Sequence, residues 1–145
     1  MAVRFFLHHV NYKIKGRREI KACIGRILSD HNKKIGSINV ILTSESKLLE
    51  INKKFLKRKN YTDIITFDFS ENSKISGDLY ISIERVGDNA ILYRVTKDNE
   101  LLRVIIHGIL HLVGYNDAKE KEKRKIRAME NKYLQKYYNK GSDNL

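Results

Sequence analysis

The stretch His-Gly-Ile-Leu-His-Leu-Val-Gly-Tyr-Asn-Asp, residues 107–117, closes the most apolar segment of the chain and decides how the rest is read. Upstream of it, Leu101, Leu102, Val104, Ile105 and Ile106 continue into Ile109, Leu110 and Leu112, so that a helix from Thr96 to Val113 has almost no polar side. A helix of that composition is buried. Its ends are marked as well: Thr96 suits an N-cap, Asp98 and Glu100 suit the positive end of the dipole, and Gly114 suits the position just past the last turn.

Within that helix His107 and His111 stand four residues apart, and at about 100° per residue such positions point the same way. Buried imidazoles are costly unless their ring nitrogens are satisfied, either by core hydrogen bonds or by a metal ion. The pair, with Gly114 to turn the chain and Asp117 just beyond it, predicts the metal. Two histidines and one carboxylate leave a coordination position open, which is the catalytic arrangement. The spacing also matches that of the metzincin metalloproteases, which need a glutamate directly after the first histidine as general base. Gly108 stands there and cannot take a proton, which argues against peptide hydrolysis by that route.

His107, Gly108, Leu110, His111, Leu112, Gly114 and Tyr115 follow the order of a signature similar to H-G-x-L-H-L-x-G-Y-D-H, and on them the chain resembles the YbeY endoribonucleases. The resemblance continues upstream. Asn52 and Phe55, then Thr62, Asp63, Ile64, Ile65, Thr66 and Phe67, look like the family's N-x-x-[YF] and T-D-V-L-S-F. Gly77, Asp78, Leu79, Ile81 and Ser82 look like its G-D-I-x-I-S strand. Two departures stand out. Asn116 and Asp117 replace the usual Asp and His, so the third ligand is expected to be a carboxylate, which lowers the net positive charge of the ion and makes it a weaker Lewis acid. Leu56 stands where the family commonly has an arginine held to meet RNA phosphate; Lys57 or Arg58 is expected to take that role, against the alternative of a solvated run of charge.

The resemblance implies one zinc ion per chain, held by His107, His111 and Asp117. It implies an endoribonuclease acting on single-stranded RNA, with maturation of the 3′ end of small-subunit ribosomal RNA and ribosome quality control as its setting. The small subunit or its assembly factors are then the expected partners. Either a water or the RNA 2′-hydroxyl is the attacking group, and no general base is evident in the sequence. Two other readings stay open: a non-catalytic RNA- or ribosome-binding assembly factor with a structural metal, and a metallohydrolase acting on another anionic substrate.

Composition points the same way. Against 17 acidic residues the chain carries 29 lysines and arginines, a formal charge of +12 and a pI near 9.8. Such a field attracts polyanions: RNA, DNA or an anionic membrane. The N-terminus alternates like a strand and lacks the apolar core of a signal peptide, and no run reaches about 18 uncharged apolar residues, so a cytoplasmic protein is expected. Cys23, the sole cysteine, lies in line with Ile20, Ile24 and Ile27 and reads as a core thiol.

At 145 residues the chain fits one domain, 1–145. Periodicity predicts strands over 3–9, 37–43, 62–69 and 77–83, the last two joined by a polar loop, Glu71 to Gly77. His8 and His9 are expected to face opposite sides of the first strand. Helices are expected within 16–31 and over 44–56, 84–93, 97–113 and 118–138. Ile38, Val40 and Leu42 are expected to share a face, as are Ile65, Phe67 and Phe69, and Leu79, Ile81 and Ile83. This is an α/β fold of the α+β type, a small mixed four-stranded sheet packed with about five helices. In the last helix Ile126, Met129, Tyr133 and Tyr137 form a stripe expected to dock on the core.

Overall fold

In the computed structural model, residues 2–56 and 62–138 are described. The elements run β1 (Ala2–Leu7), α1 (Arg17–Asp30), β2 (Lys34–Thr43), α2 (Glu45–Ile51) with a π-helical turn (Asn52–Leu56), β3 (Ile64–Asp68), β4 (Lys74–Ser82), α3 (Ile83–Tyr93), α4 (Lys97–Leu112) and α5 (Glu120–Tyr137). The sheet order is β1-β2-β4-β3, with β1, β2 and β4 parallel and β3 antiparallel to β4, which makes the sheet mixed as expected.

Alternation along the strands separates the two faces of the sheet. Ile38, Val40, Leu42, Leu79 and Ile81 are fully buried on one face, under α1 and α4. Helix α1 meets that face with Ile20, Cys23, Ile24, Ile27 and Leu28, at the spacing of a single amphipathic stripe. Ile65, paired with Tyr80, looks the other way and forms a smaller cluster with Leu48 and Ile51 of α2, flanked by Phe67. Ile126 and Tyr133 of α5 are buried, and Met129 and Tyr137 pack against the same core, as their spacing predicts.

Helix α4 is the centre of the molecule, touching α1, α3, α5, β3 and β4. The Thr96 hydroxyl accepts from the Asn99 amide at 3.1 Å and starts it. Close approach to the sheet is possible because of two glycines. A Cβ on Gly108 would stand 2.8 Å from Ile64 Cδ1 and 3.0 Å from Leu79 Cδ2, and one on Gly77 would stand 2.5 Å from the Phe67 carbonyl oxygen.

Several expectations at the element ends are corrected. Lys74 to Gly77 are strand, since Ile35 of β2 pairs with Ile75, which is buried, and backbone pairing outweighs their polar composition. The chain reverses between Glu71 and Lys74, with Asn72 at φ 57°. Ile83 opens α3 and Phe69 lies past the end of β3, 60% exposed. β1 ends at Leu7, so His8 and His9 are not on opposite faces of a strand: His9 turns to φ 57° and the two rings meet edge-on at 4.3 Å. The helix expected over 44–56 changes from α to π after Ile51.

Candidate metal centre

From its second turn on, α4 carries its polar residues on one stripe, Glu100, Arg103, His107 and His111, at spacings of three and four. The stripe faces α5 across Glu130, which is 1% exposed. Arg103 donates to Glu130 Oε1 at 2.9 Å and also pairs with the fully buried Glu100. The other Glu130 oxygen lies 2.6 Å from His107 Nδ1. Buried charges persist only when paired and hydrogen-bonded, and here two carboxylates share one guanidinium and one imidazole.

That contact determines how His107 presents itself. With Nδ1–H donated to Glu130, the opposite nitrogen, Nε2, is left facing away from the helix pair, and it is the atom that meets the other two candidates. His107 Nε2 and His111 Nε2 are 3.0 Å apart, His107 Nε2 and Asp117 Oδ2 3.2 Å, and His111 Nε2 and Asp117 Oδ2 3.3 Å. A tetrahedral ion bound at about 2.0–2.1 Å holds its ligand atoms roughly 3.3–3.4 Å from one another. The three side chains, 22%, 29% and 42% exposed, therefore form a group able to hold a metal ion with one side open. The donor set fits: two imidazole nitrogens at van der Waals contact and a carboxylate oxygen need a cation, or a proton, among them.

Burial disfavours charge on His107, but the hydrogen bond to Glu130 and the charges of Glu130, Asp117 and Asp63 outweigh it and raise its pKa above the ordinary histidine value. Glu130 is held below the usual carboxylate range: burial opposes this, and His107 and Arg103 outweigh it. A proton and a metal ion held by this group would compete for the same Nε2.

Asp117 reaches the group by way of the turn that ends α4. Gly114, at φ +112°, donates to the His111 carbonyl, and the Tyr115 amide donates to that of Leu110, the two hydrogen bonds of a Schellman turn. The Tyr115 hydroxyl is 2.8 Å from His31 Nε2, while His31 Nδ1 lies 2.6 Å from the Ile27 carbonyl at the end of α1. The loop that bears Asp117 is thereby pinned to a second helix. Gly108, where a metzincin would have its glutamate, faces the sheet and has no room for a side chain.

A model of the family described as Endoribonuclease YbeY matches residues 8–138. The chain belongs to the YbeY endoribonuclease family. Endoribonuclease YbeY of Cytophaga hutchinsonii is 45% identical over 131 residues, 90% of this chain and 92% of that protein. Endoribonuclease YbeY of Phocaeicola vulgatus is 47% identical over 117 residues, 81% of this chain and 80% of that protein. The solution structure of a Thermotoga maritima protein matches with a TM-score of 0.67 at 28% identity, covering 99% of this chain and 93% of that one.

The three residues expected as ligands, His107, His111 and Asp117, come together in a group that could hold a metal ion. Lys57 and Arg58 lie outside the described residues. Glu130, Arg103 and His31 escaped the sequence reading, and Glu100, read there only as a partner of the helix dipole, is fully buried against Arg103. For Glu130 a signal existed: it sits four residues after Ile126 and three before Tyr133, a charge inside an apolar stripe. Asp63, part of the YbeY-like T-D-I-I-T-F, accepts from Asn89 Nδ2 at 3.3 Å, and the same nitrogen donates to Glu100 at 3.3 Å, tying that segment to the stripe on α4. Among the described residues no helix is long and apolar enough to cross a membrane.

Proposed function

We propose that residues 1–145 form a single-domain, zinc-dependent endoribonuclease that cleaves single-stranded RNA in the maturation of small-subunit ribosomal RNA and in ribosome quality control, in the cytoplasm. The observation that carries the reading is the triangle of His107 Nε2, His111 Nε2 and Asp117 Oδ2, with edges of 3.0–3.3 Å, together with the Glu130 contact that sets the ring orientation.

One zinc ion per chain, held by those three residues, would supply Lewis acidity toward a phosphoryl oxygen or toward a water, with an anionic ligand moderating it. The chain's own residues do the remainder. Glu130 and Arg103 keep His107 from rotating out of place, and the Schellman turn and His31 hold the Asp117 loop. The net charge of +12 draws the RNA in, and Lys57 or Arg58 meets its phosphate. With Gly108 against the sheet there is no base in the metzincin position.

Elemental analysis of the untagged protein beside His111→Ala and Asp117→Ala, followed by incubation with single-stranded ribosomal RNA, tests this. We expect near-stoichiometric zinc in the wild type, loss of zinc in both variants, and loss of cleavage in protein that stays folded. Zinc retained by Asp117→Ala would remove Asp117 from the ligand set. Bound zinc without any RNA cleavage would replace the enzyme by an assembly factor with a structural metal. A 2′,3′-cyclic phosphate on the product would identify the RNA 2′-hydroxyl as the attacking group.

A further inference from the structure

Where α5 crosses α4, a second arginine stands beside Glu130 and takes no part in the chemistry described so far. Arg127 lies one turn before Glu130 on α5. Its Nε stops 4.0 Å from Glu130 Oε1, beyond hydrogen-bond reach, while the other oxygen of that carboxylate lies 2.6 Å from His107 Nδ1. Both oxygens are already taken, Oε1 by Arg103 and Oε2 by His107. No residue among those described accepts a hydrogen bond from Arg127, and its side chain is 51% exposed, so its N–H donors are left for an outside acceptor. Its position is nevertheless held. Tyr93, at the end of α3, has its ring centre 5.6 Å from the Arg103 guanidinium carbon and 5.9 Å from that of Arg127. The Arg127 guanidinium therefore lies where α3, α4 and α5 meet, beside a polar stripe on α4 that is closed at Glu100 and opens towards His107 and His111.

We infer that Arg127 is a substrate-binding residue of this chain, whose guanidinium takes the phosphate next to the scissile one on an RNA strand lying along the polar stripe of α4. The inference rests on the endoribonuclease reading above and deepens it. Glu130 and the His107 ring stand between the guanidinium and His107 Nε2, the atom that faces the metal group. Arg127 is thus too far away to share a phosphoryl oxygen held at that group, and it suits the adjoining phosphate instead. A planar guanidinium with uncommitted donors meets two phosphate oxygens at once, which an ammonium cannot do. Contact with Tyr93 limits the conformations of the long side chain, so less freedom is lost when a phosphate binds. Arg103, the other guanidinium on this ring, cannot serve: it is spent on two buried carboxylates.

The test uses the full chain loaded with zinc and a single-stranded ribosomal RNA fragment whose cleavage position has been mapped. Arg127→Ala should raise KM about five- to tenfold, with the smaller effect on kcat. Lys132→Ala, which removes an equal charge from an exposed position farther along α5, should change neither. Arg127→Lys should recover part of the loss, since the ammonium keeps the charge without the fork. In RNA binding, the slope of log affinity against log salt should fall by about 0.7 in Arg127→Ala, the share of one phosphate on a single strand. Uncharged methylphosphonates placed one at a time in the substrate locate the contact: neutralising a phosphate that adjoins the scissile one should weaken the wild type as much as Arg127→Ala does, and weaken the variant no further. KM and salt slope unchanged in Arg127→Ala overturn the inference while leaving the activity standing. An equal loss in Lys132→Ala also overturns it, reducing Arg127 to a share of the general basic field. So does a fall in zinc affinity with KM unchanged, which would make Arg127 a support of Glu130. If the wild type binds RNA and cleaves none, the enzymatic reading falls, and the salt slopes of the two alanine variants decide the phosphate contact by themselves.

Discussion

Replacing Glu130 by Gln keeps an acceptor beside His107 Nδ1 and removes the charge, whereas Ala removes both. Outer partners of ligating histidines are worth about 10- to 100-fold in metal affinity, so Glu130→Ala should lose that much in a competition titration with a chelating dye, and Glu130→Gln less. Ala also strips Arg103 of one of its two buried partners, and urea unfolding should show a loss of about 3 kcal/mol. The raised pKa of His107 gives a second expectation. Without metal, a group whose folded pKa is raised contributes stability that is present below its unfolded value, about 6.5, and is lost as pH rises through the folded value. With metal the sign reverses, because binding displaces the proton. Thermal unfolding at pH 5.5 and pH 8 should therefore show the stabilisation by zinc growing with pH, while His107's own contribution in chelated protein shrinks. An ion effect equal at both pH values would count against Nε2 as a ligand atom. Residues 107, 111 and 117 were legible because helical spacing and a glycine are local signals. Glu130 left only one local trace, a charge inside the apolar stripe of α5, and its partner is decided only where α5 crosses α4.

Helix α4 ends at a turn on which the position of Asp117 depends. The φ of +112° at Gly114 lies where L-residues are strained, so Gly114→Ala should cost about 1–3 kcal/mol although the space around it is open. Because the same turn delivers Asp117, the variant should lose zinc affinity out of proportion to its stability, measurable by unfolding and metal titration side by side. Local capping chemistry was readable in advance: Thr96 accepts from the Asn99 amide, as its type suggests. The hairpin between β3 and β4 was not. Lys74 and Ser76 read as loop because they are polar, and they become strand because β2 offers a partner edge along Lys34 to Thr43.

Across the whole molecule, Cys23 reports on the integrity of the core. It is fully buried, and burial pushes its thiol up to about 12. The thiol should react with a disulfide reagent only through global unfolding, and zinc should slow it; prompt reaction in the native state would mean that α1 opens away from the sheet. The presence of α1, α4 and α5, the buried face of β2, the histidine pair and the basic field were all decided by residues within a few positions of one another, because periodicity, caps and composition act over one or two turns of chain. Tertiary structure alone decided that Gly108 and Gly77 let α4 settle on the sheet, that Ile65 faces away from Ile38, that His31 anchors Tyr115, and that Glu130 reaches His107 from 23 residues away. Those contacts join elements distant in sequence, and their energies depend on burial and on charges brought together by packing, neither of which any local pattern encodes.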